Sequence, residues 1–430
     1  MLPVWPLWRK IGFRFAFIYL VLYTAPWTLL AVIPGVGRVT QYYDLAWDWV
    51  VRAANSRVFH LKDELVAFNG SGDTSFGWAQ LLLTLSVATV GCIAWSAIDR
   101  RRPNYERLDY WFRLSLRYYI SFFCFTYGII KVFALQMPFP NLSQLATPLG
   151  DFLPMRLSWM FIGYSTPYQV FSGVMEVLAG ALLLNRKTVA LGLVTAIGVF
   201  VHVVVLNLAY DIPVKLFSIH LLVCAVFLML YELPRFLNFF IFNRVSEPDT
   251  SFNIQLNKKW MRYGRIIAKL TFIVFAAIVP FYESYDQYNS IIAMQDIKPI
   301  KSGLYDVDLF VLNNHDTVPP LVSDTLRWHD VVFEKNGGGS IKTSDPTFRQ
   351  RYRRGYFSYK PDTLRNVLEF RLFPGDSLPL MTLKYKLPDE NTIQLWTDYK
   401  GDSLYLRLRR SKKHFQLTER QFHWLSEANR

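Results

Sequence analysis

Residues 188–209 read TVALGLVTAIGVFVHVVVLNLA, a run in which His202 is the single ionisable side chain. A bilayer's hydrocarbon core, ~30 Å thick, takes roughly 20 apolar residues of helix to cross. This stretch is long enough and apolar enough to do so, and it decides the class of the protein. Six further segments qualify on either side of it: Ile11–Ile33, Trp78–Ile98, Leu114–Leu135, Pro167–Leu184, Val214–Tyr231 and Arg265–Phe281. The last begins with Arg265 and Lys269, whose stems can snorkel to the interface. With Thr188–Ala209 they predict a mainly α membrane protein, a polytopic bundle of about seven transmembrane helices over residues 1–282. Six spans with a re-entrant segment is the competing count. The first run is too long for a cleavable signal, and no clean small-x-small site follows it.

Composition agrees. Of 430 residues, 52% are hydrophobic and only 19% are charged, against about a quarter charged in soluble domains. Glycine and proline number 22 each and cysteine 3, which excludes disorder, collagen-like repeats and a disulfide scaffold. The net charge of +14 would suit nucleic acid, so its distribution matters. Residues 1–282 hold 25 Lys+Arg against 14 Asp+Glu, and residues 283–430 hold 22 against 19. The excess lies among the apolar runs, which points to membrane topology and away from nucleic acid.

Orientation follows from that excess. With a cytoplasmic N-terminus, 18 of the first 25 basic residues fall inside; the seven outside are Arg38, Arg52, Arg57, Lys62, Lys131, Arg156 and Lys215. An odd number of spans then puts the C-terminal region outside, in the periplasm of a bacterial inner membrane. Tyr43, Trp47, Val50 and Val51 recur at helical spacing in the first outer loop, which predicts an amphipathic helix at the interface. Met137–Thr166, proline-rich and aperiodic, reads as a folded-back surface loop.

From Ser302 the period changes to two. Leu304–Leu312, Asp330–Lys335, Gly355–Lys360, Asn366–Leu372, Leu380–Tyr385, Thr392–Tyr399, Ser403–Arg409 and His414–Leu417 read as strands, with Asn336–Gly339 among the turns between them. Eight short strands predict an antiparallel β-barrel or β-sandwich at 302–430, after a linker at 283–301. It has no cysteine, so an apolar core must hold it together.

Candidate site residues come from depth. A charge at mid-bilayer costs roughly 2.5–3.5 kcal/mol on insertion scales, so each such residue needs a partner or a purpose. Lys131, Glu176, His202, Asn207, Asp211, Lys215 and His220 all fall in the outer half, which predicts an outward-opening polar cavity. Lys131–Glu176 and Asp211–Lys215 can pair, leaving the imidazoles to titrate or to donate to a bound carbonyl. The same residues also read as interhelical bonds alone. Asn69–Ser75, with Asp73, precedes the second span, as a helix cap or as a loop binding an anion or carbonyl at a helix N-terminus. Cys92, Cys124 and Cys224 lie in three different spans without a C-x-x-C, and the histidines lack metal spacing, so neither a dithiol relay nor a metal site is predicted.

Tyr127-Gly128-Ile129-Ile130-Lys131-Val132-Phe133, Gln136-Met137-Pro138-Phe139-Pro140, Pro148-Leu149-Gly150-Asp151 and Tyr210-Asp211-Ile212-Pro213-Val214-Lys215, with the Gly70–Thr74 loop, resemble a DoxX-like family of bacterial membrane proteins. The likeness covers about residues 70–235. The strand-rich tail ending Gln421-Phe422-His423-Trp424 resembles the extra domain of long members. The resemblance implies a four-helix membrane core with appended helices, and links to membrane redox chemistry, including a quinone-coupled thiosulfate oxidoreductase. The missing C-x-x-C departs from members that use thiols. The leading expectation is therefore an oxidoreductase-like inner-membrane protein with a quinone, or another lipid-soluble carbonyl, as the candidate cofactor. Lys131 and His202 would hydrogen-bond its head and Glu176 would exchange protons. Asp73, Gln136, Asn207, Asp211, Lys215 and His220 would contact the ligand or order the cavity mouth. The alternative is a non-catalytic envelope assembly or interaction protein, whose β-domain meets a periplasmic partner or lipid. A small-solute transporter is disfavoured, since no internal repeat is seen.

Overall fold

A computed structural model describes residues 4–32, 35, 37–67, 72–246, 252, 254, 257–313, 315–316, 326–399, 401–420 and 423–425. The chain forms two compact units. One comprises Met1–Pro138 with Ser165–Tyr288, the other Phe139–Tyr164 with Asn289–Arg430.

The first unit is helical. In chain order its helices are α1 (Leu7–Thr24), α2 (Gly37–Ala54), α3 (Ser75–Ile98) and α4 (Glu106–Val132). The second unit's segment adds α5 (Leu142–Leu145) and α6 (Pro154–Tyr164). The first unit resumes with α7 (Thr166–Leu183), α8 (Val189–Ala209), α9 (Lys215–Phe240), α10 (Lys259–Ile273) and α11 (Val279–Ile292). Among the described residues, four stretches are long and apolar enough to cross a membrane: α3, Arg186–Ala209 with α8, α9, and Lys259–Ile292 with α10 and α11. The other three expected spans lie largely in α1, α4 and α7. Ala25, with a left-handed backbone (φ 35°), ends α1, and the chain continues as a 3-10 turn over Pro26–Val32.

The tightest helix pair is α4 with α7. A Cβ placed on Gly173 would sit 2.6 Å from the Gly128 carbonyl oxygen and 2.7 Å from the Val132 nitrogen. Only glycine lets the backbones approach this closely, the small-residue solution used where both helix faces meet apolar surroundings. Ser121 adds a hydrogen bond to the Gly180 carbonyl at 2.8 Å. The stripe Tyr43–Trp47–Val50–Val51 does form a helix, α2. It packs on Leu65 and on Phe76, Ala79 and Leu83 of α3, so protein covers the face that the sequence assigned to the interface. Tyr42, Leu45 and Trp49 are the exposed apolar residues of α2.

The second unit is an antiparallel β-barrel. Its strands are β1 (Gly303–Leu312), β2 (His315–Asp316), β3 (Asp330–Phe333), β4 (Gly338–Ile341) and β5 (Arg349–Arg351), then β6 (Arg354–Asp362), β7 (Val367–Arg371), β8 (Met381–Asp389), β9 (Thr392–Tyr399) and β10 (Asp402–Arg410). β1 pairs with both β3 and β10, which closes an eight-strand circuit β1-β3-β4-β6-β7-β8-β9-β10; β2 and β5 pair off it. Closure removes the open edges that a sandwich would leave. Alternation sorts the side chains: on β8, Met381, Leu383 and Tyr385 face the core while Thr382 and Lys384 face out. The interior is filled by residues such as Trp328, Phe333, Phe357, Leu368, Phe370 and Leu395.

Four expectations need correction. His414–Leu417 is not a strand; Gln416–Glu419 forms a short helix, α12. The eighth barrel strand is β4, inside the glycine run read as a turn. Gly337 (φ 77°) makes the turn. Gly339 lies in the strand, paired with Phe333 and Phe357, and must be glycine there because a Cβ would meet the Phe357 ring at 2.5 Å and the Val332 carbonyl at 2.6 Å. The 283–301 linker is helical as far as Ile292, and within Met137–Thr166, read as a folded-back surface loop, Phe139–Tyr164 carries α5 and α6 and belongs to the barrel unit. There Ser143 gives its backbone N–H and its hydroxyl to Glu334 (2.8 and 2.9 Å), and Arg353 pairs with Asp151 at 3.2 Å.

Candidate functional site

Lys131 closes α4 and its ammonium hydrogen-bonds Oε1 of Glu176 on α7; both side chains are buried. Glycine packing of the two helices brings the charges together. Glu176 Oε2 has no hydrogen-bond partner among the described residues. His202, on α8, lies within Coulombic reach of Glu176, but its side chain is exposed. Just beyond, the Gln169 amide makes a two-point bond with the Met137 backbone, accepting from its N–H (2.9 Å) and donating to its carbonyl (2.8 Å). Gln136 is half-buried, and its Oε1 has no partner.

A second cluster surrounds the start of α9. Both oxygens of Asp73 accept backbone N–H groups at that N-terminus, from Lys215 (2.7 Å) and Leu216 (2.9 Å). The carboxylate thus neutralises orphan donors and faces the positive end of the helix dipole. The second span has its own cap, Thr74, which accepts from Gly77 at 3.4 Å. Asn69, Gly70 and Ser71 of the proposed anion loop lie outside the described residues. Lys215 pairs with Asp211 at 2.7 Å, and Asn207 bonds Ser218 at 3.0 Å, tying α8 to α9. His220 is fully engaged. Its Nδ1 donates to the Leu216 carbonyl (2.6 Å), which can only accept, so in the neutral ring Nε2 accepts from the Tyr19 hydroxyl (2.6 Å). Tyr23 stacks flat on the imidazole, centroids 3.5 Å apart.

Both ion pairs expected from depth are therefore present, but the single polar ring is not. Among the described residues no hydrogen bond or ion pair joins the Lys131–Glu176 pair to the Asp73–Lys215–His220 cluster. A cavity lies elsewhere in the unit, among α1, α2, α3 and α4. It measures about 530 Å³ and is lined by Tyr23, Tyr43, Trp47, Phe76, Tyr119 and Phe123, among others. Ligand cavities typically run about 300–1,000 Å³, apolar with a few polar groups. Beside it, the buried donor groups Tyr43 hydroxyl, Trp47 Nε1 and Trp27 Nε1 have no partner among the described residues. Trp27 meets Tyr43 edge-on at 5.1 Å. Burial, with Asp44 nearby, pushes the Tyr43 hydroxyl above its ordinary pKa, so it remains a donor.

The sequence missed these tyrosines and tryptophans as site residues, although Tyr19 and Tyr23 carry an i,i+4 signal. At the opposite end of the bundle lie further buried charges. There Asp109 is buried against Arg113 (3.0 Å) and accepts from Tyr231 (2.7 Å), and Arg14 is buried on Tyr105, Ser96 and Asp99. Among the described residues, no group of three or more His, Cys, Asp or Glu side chains could hold a metal ion.

Fold and site define the class as a membrane-type helical bundle bearing an apolar cavity and joined to a filled β-barrel. The chain belongs to the family of the uncharacterized protein YwoB of Bacillus subtilis (strain 168), with 32% identity over 127 residues, which are 29% of this chain and 80% of that protein. No family model and no solved structure matches the chain.

Proposed function

We propose that this is a multi-pass inner-membrane protein that binds a lipid-soluble carbonyl compound, a quinone being the fitting class, in the cavity among α1–α4. The observation that carries the reading is the cavity wall itself: a mostly apolar, aromatic lining, with Gln41, Asp44, Asp48 and Gln80 among it, that includes Tyr43 and Trp47, whose buried donor groups have no partner among the described residues. A carbonyl supplies the acceptor such donors lack, and an unmet buried donor otherwise costs about 1–3 kcal/mol. Tyr23, on the same wall, stacks on His220, which Tyr19 also contacts, so protons have a hydrogen-bonding group within reach of the cavity. The motif resemblance to DoxX-like proteins supports a membrane redox role. Lys131 is committed to Glu176 in this reading, and the free Glu176 oxygen is the group able to exchange a proton.

Topology has its own support. Phe139–Tyr164 and the barrel form one unit, so both belong on one side of the bilayer, and an even number of crossings separates them. Three of the helices between them meet the length and apolarity needed. Parity makes α7 the fourth, and α1, α3 and α4 bring the count to seven. The basic excess then orients the N-terminus inward and the barrel to the periplasm.

The test is the quinone content of protein purified in mild detergent. Tyr43→Phe combined with Trp47→Leu should lose most of it, while Lys131→Met combined with Glu176→Leu, which removes the ion pair outside the cavity lining without stranding a charge, should keep it. Wild-type content in the cavity variant would end the proposal, and loss in the ion-pair variant alone would move the site to the ion pair. One observation favours the alternative role in envelope assembly: the barrel interior is filled, so any partner of that domain must bind its outer surface.

A further inference from the structure

The opposite end of the bundle carries a second cavity, of about 450 Å³, between the first turns of α4, the α7–α8 corner, the end of α9 and the start of α10. Five of its lining residues are cationic, namely Arg113, Arg117, Arg186, Arg265 and Lys269, and one, Glu232, is acidic. Their compensation is incomplete. Arg113 pairs with Asp109, and Glu232 pairs with Arg235 outside the cavity. Arg117 donates through Nε and Nη2 to the Leu183 carbonyl (3.2 and 2.7 Å), which caps the end of α7 but leaves the guanidinium charge. Arg265 and Lys269 make no ion pair among the described residues. They are four apart on one helix, where like charges repel. Between the cations lie Leu114, Val189, Leu193 and Ile266, an apolar wall.

We propose that this cavity is a binding site for a phosphoryl anion, with Arg117, Arg265 and Lys269 as its ligands. A phosphate placed among them would cancel charges of Arg117, Arg265 and Lys269 that no ion pair compensates among the described residues, and guanidinium forks suit its oxygens. The apolar wall suits acyl chains, and basic pockets between membrane helices commonly hold acidic lipid headgroups. A phospholipid headgroup and a soluble phosphate share this chemistry. The site lies at the far end of the bundle from the carbonyl-binding cavity and does not depend on it.

The test is thermal unfolding of the full chain in neutral detergent, titrated with phosphatidylglycerol, phosphatidylcholine or inorganic phosphate. The expected result is a saturable rise in Tm with phosphatidylglycerol and none with phosphatidylcholine. Arg265→Gln with Lys269→Gln, both on one face of α10, should weaken that response roughly tenfold or more, as removing two headgroup-facing cations implies. Arg100→Gln with Arg101→Gln removes the same charge from an exposed loop and should leave the response intact. A variant-sensitive rise with inorganic phosphate alone would assign the occupant to a soluble phosphate. Equal responses to the acidic and zwitterionic lipids, equal loss in the two double variants, or no loss in the α10 variant would each overturn the proposal.

Discussion

Ser143 and Glu334 lie 191 positions apart, yet one carboxylate oxygen of Glu334 accepts both the backbone N–H and the hydroxyl of Ser143. The contact clasps the segment between α4 and α7 to the β-barrel. Ala146 continues it by packing on Leu304 and Val332.

This clasp makes topology measurable. Cys92, Cys124 and Cys224 are buried, so single cysteines introduced at exposed sites can be read with a membrane-impermeant maleimide. Leu149→Cys, in the clasped segment, and Leu378→Cys, in the barrel, should label from the same side, and Lys187→Cys from the other. Labelling of Leu149→Cys and Leu378→Cys from opposite faces would refute the even crossing count.

The Lys131–Glu176 pair predicts an asymmetric mutational pattern. Removing one partner strands a buried charge and costs about 3–5 kcal/mol, whereas replacing both with apolar residues is often close to neutral. Lys131→Met should therefore lower Tm in detergent far more than Lys131→Met combined with Glu176→Leu. Equal loss in the two proteins would mean the pair does not act as a unit.

Asp73 caps a helix that begins 142 residues later. Asp73→Ala leaves two N–H groups of α9 unmet and should cost about 1–2 kcal/mol, read as a lower denaturation midpoint. Asp73→Asn keeps an acceptor oxygen and should recover part of the loss. A neutral Asp73→Ala would show that water replaces the carboxylate at no cost.

The α4–α7 contact predicts opposite outcomes for two glycines. Gly173→Ala forces a methyl against the Gly128 carbonyl and should destabilise by about 1–3 kcal/mol, the usual range for overpacking. At Gly198, within α8, a Cβ would meet nothing within 4 Å. Gly198→Ala should therefore be neutral or stabilise, by up to about 1 kcal/mol, through helix propensity. Comparable Tm losses in both would rule out backbone proximity as the cause.

In the barrel, burial pushes the Tyr359 hydroxyl well above its ordinary pKa while it donates to the Glu334 carbonyl at 3.0 Å. A raised folded pKa means that the folded state holds the proton more tightly. Its contribution is whole below the unfolded value near 10 and falls as pH rises beyond it. Tyr359→Phe should therefore lose less stability than wild type between pH 8 and pH 10.5, measured by thermal unfolding. Identical alkaline slopes would show that this hydroxyl is not responsible.

Much of the architecture was legible in the chain because periodicity is a local property. Thr392–Tyr399 appears as a strand with the residues expected, and Thr188–Ala209 lies within a helical stretch. The site was half legible. Depth along each helix places Lys131 near Glu176, but azimuth decides what a side chain faces. His220 turns toward Tyr19 and Tyr23, and His202 is exposed.

By itself the sequence determined the apolar helices, the change to period two after Ser302, and the charge asymmetry, since each depends on neighbours within a few residues. Tertiary structure alone decided that Gly339 belongs in a strand, that Asp73 serves α9, that Phe139–Tyr164 joins the barrel, and that unpartnered donors gather beside a cavity. The physical reason is common to all four. Each turns on atoms brought within a few ångströms by packing between segments far apart in the chain, and no local pattern encodes which distant backbone or ring will be there.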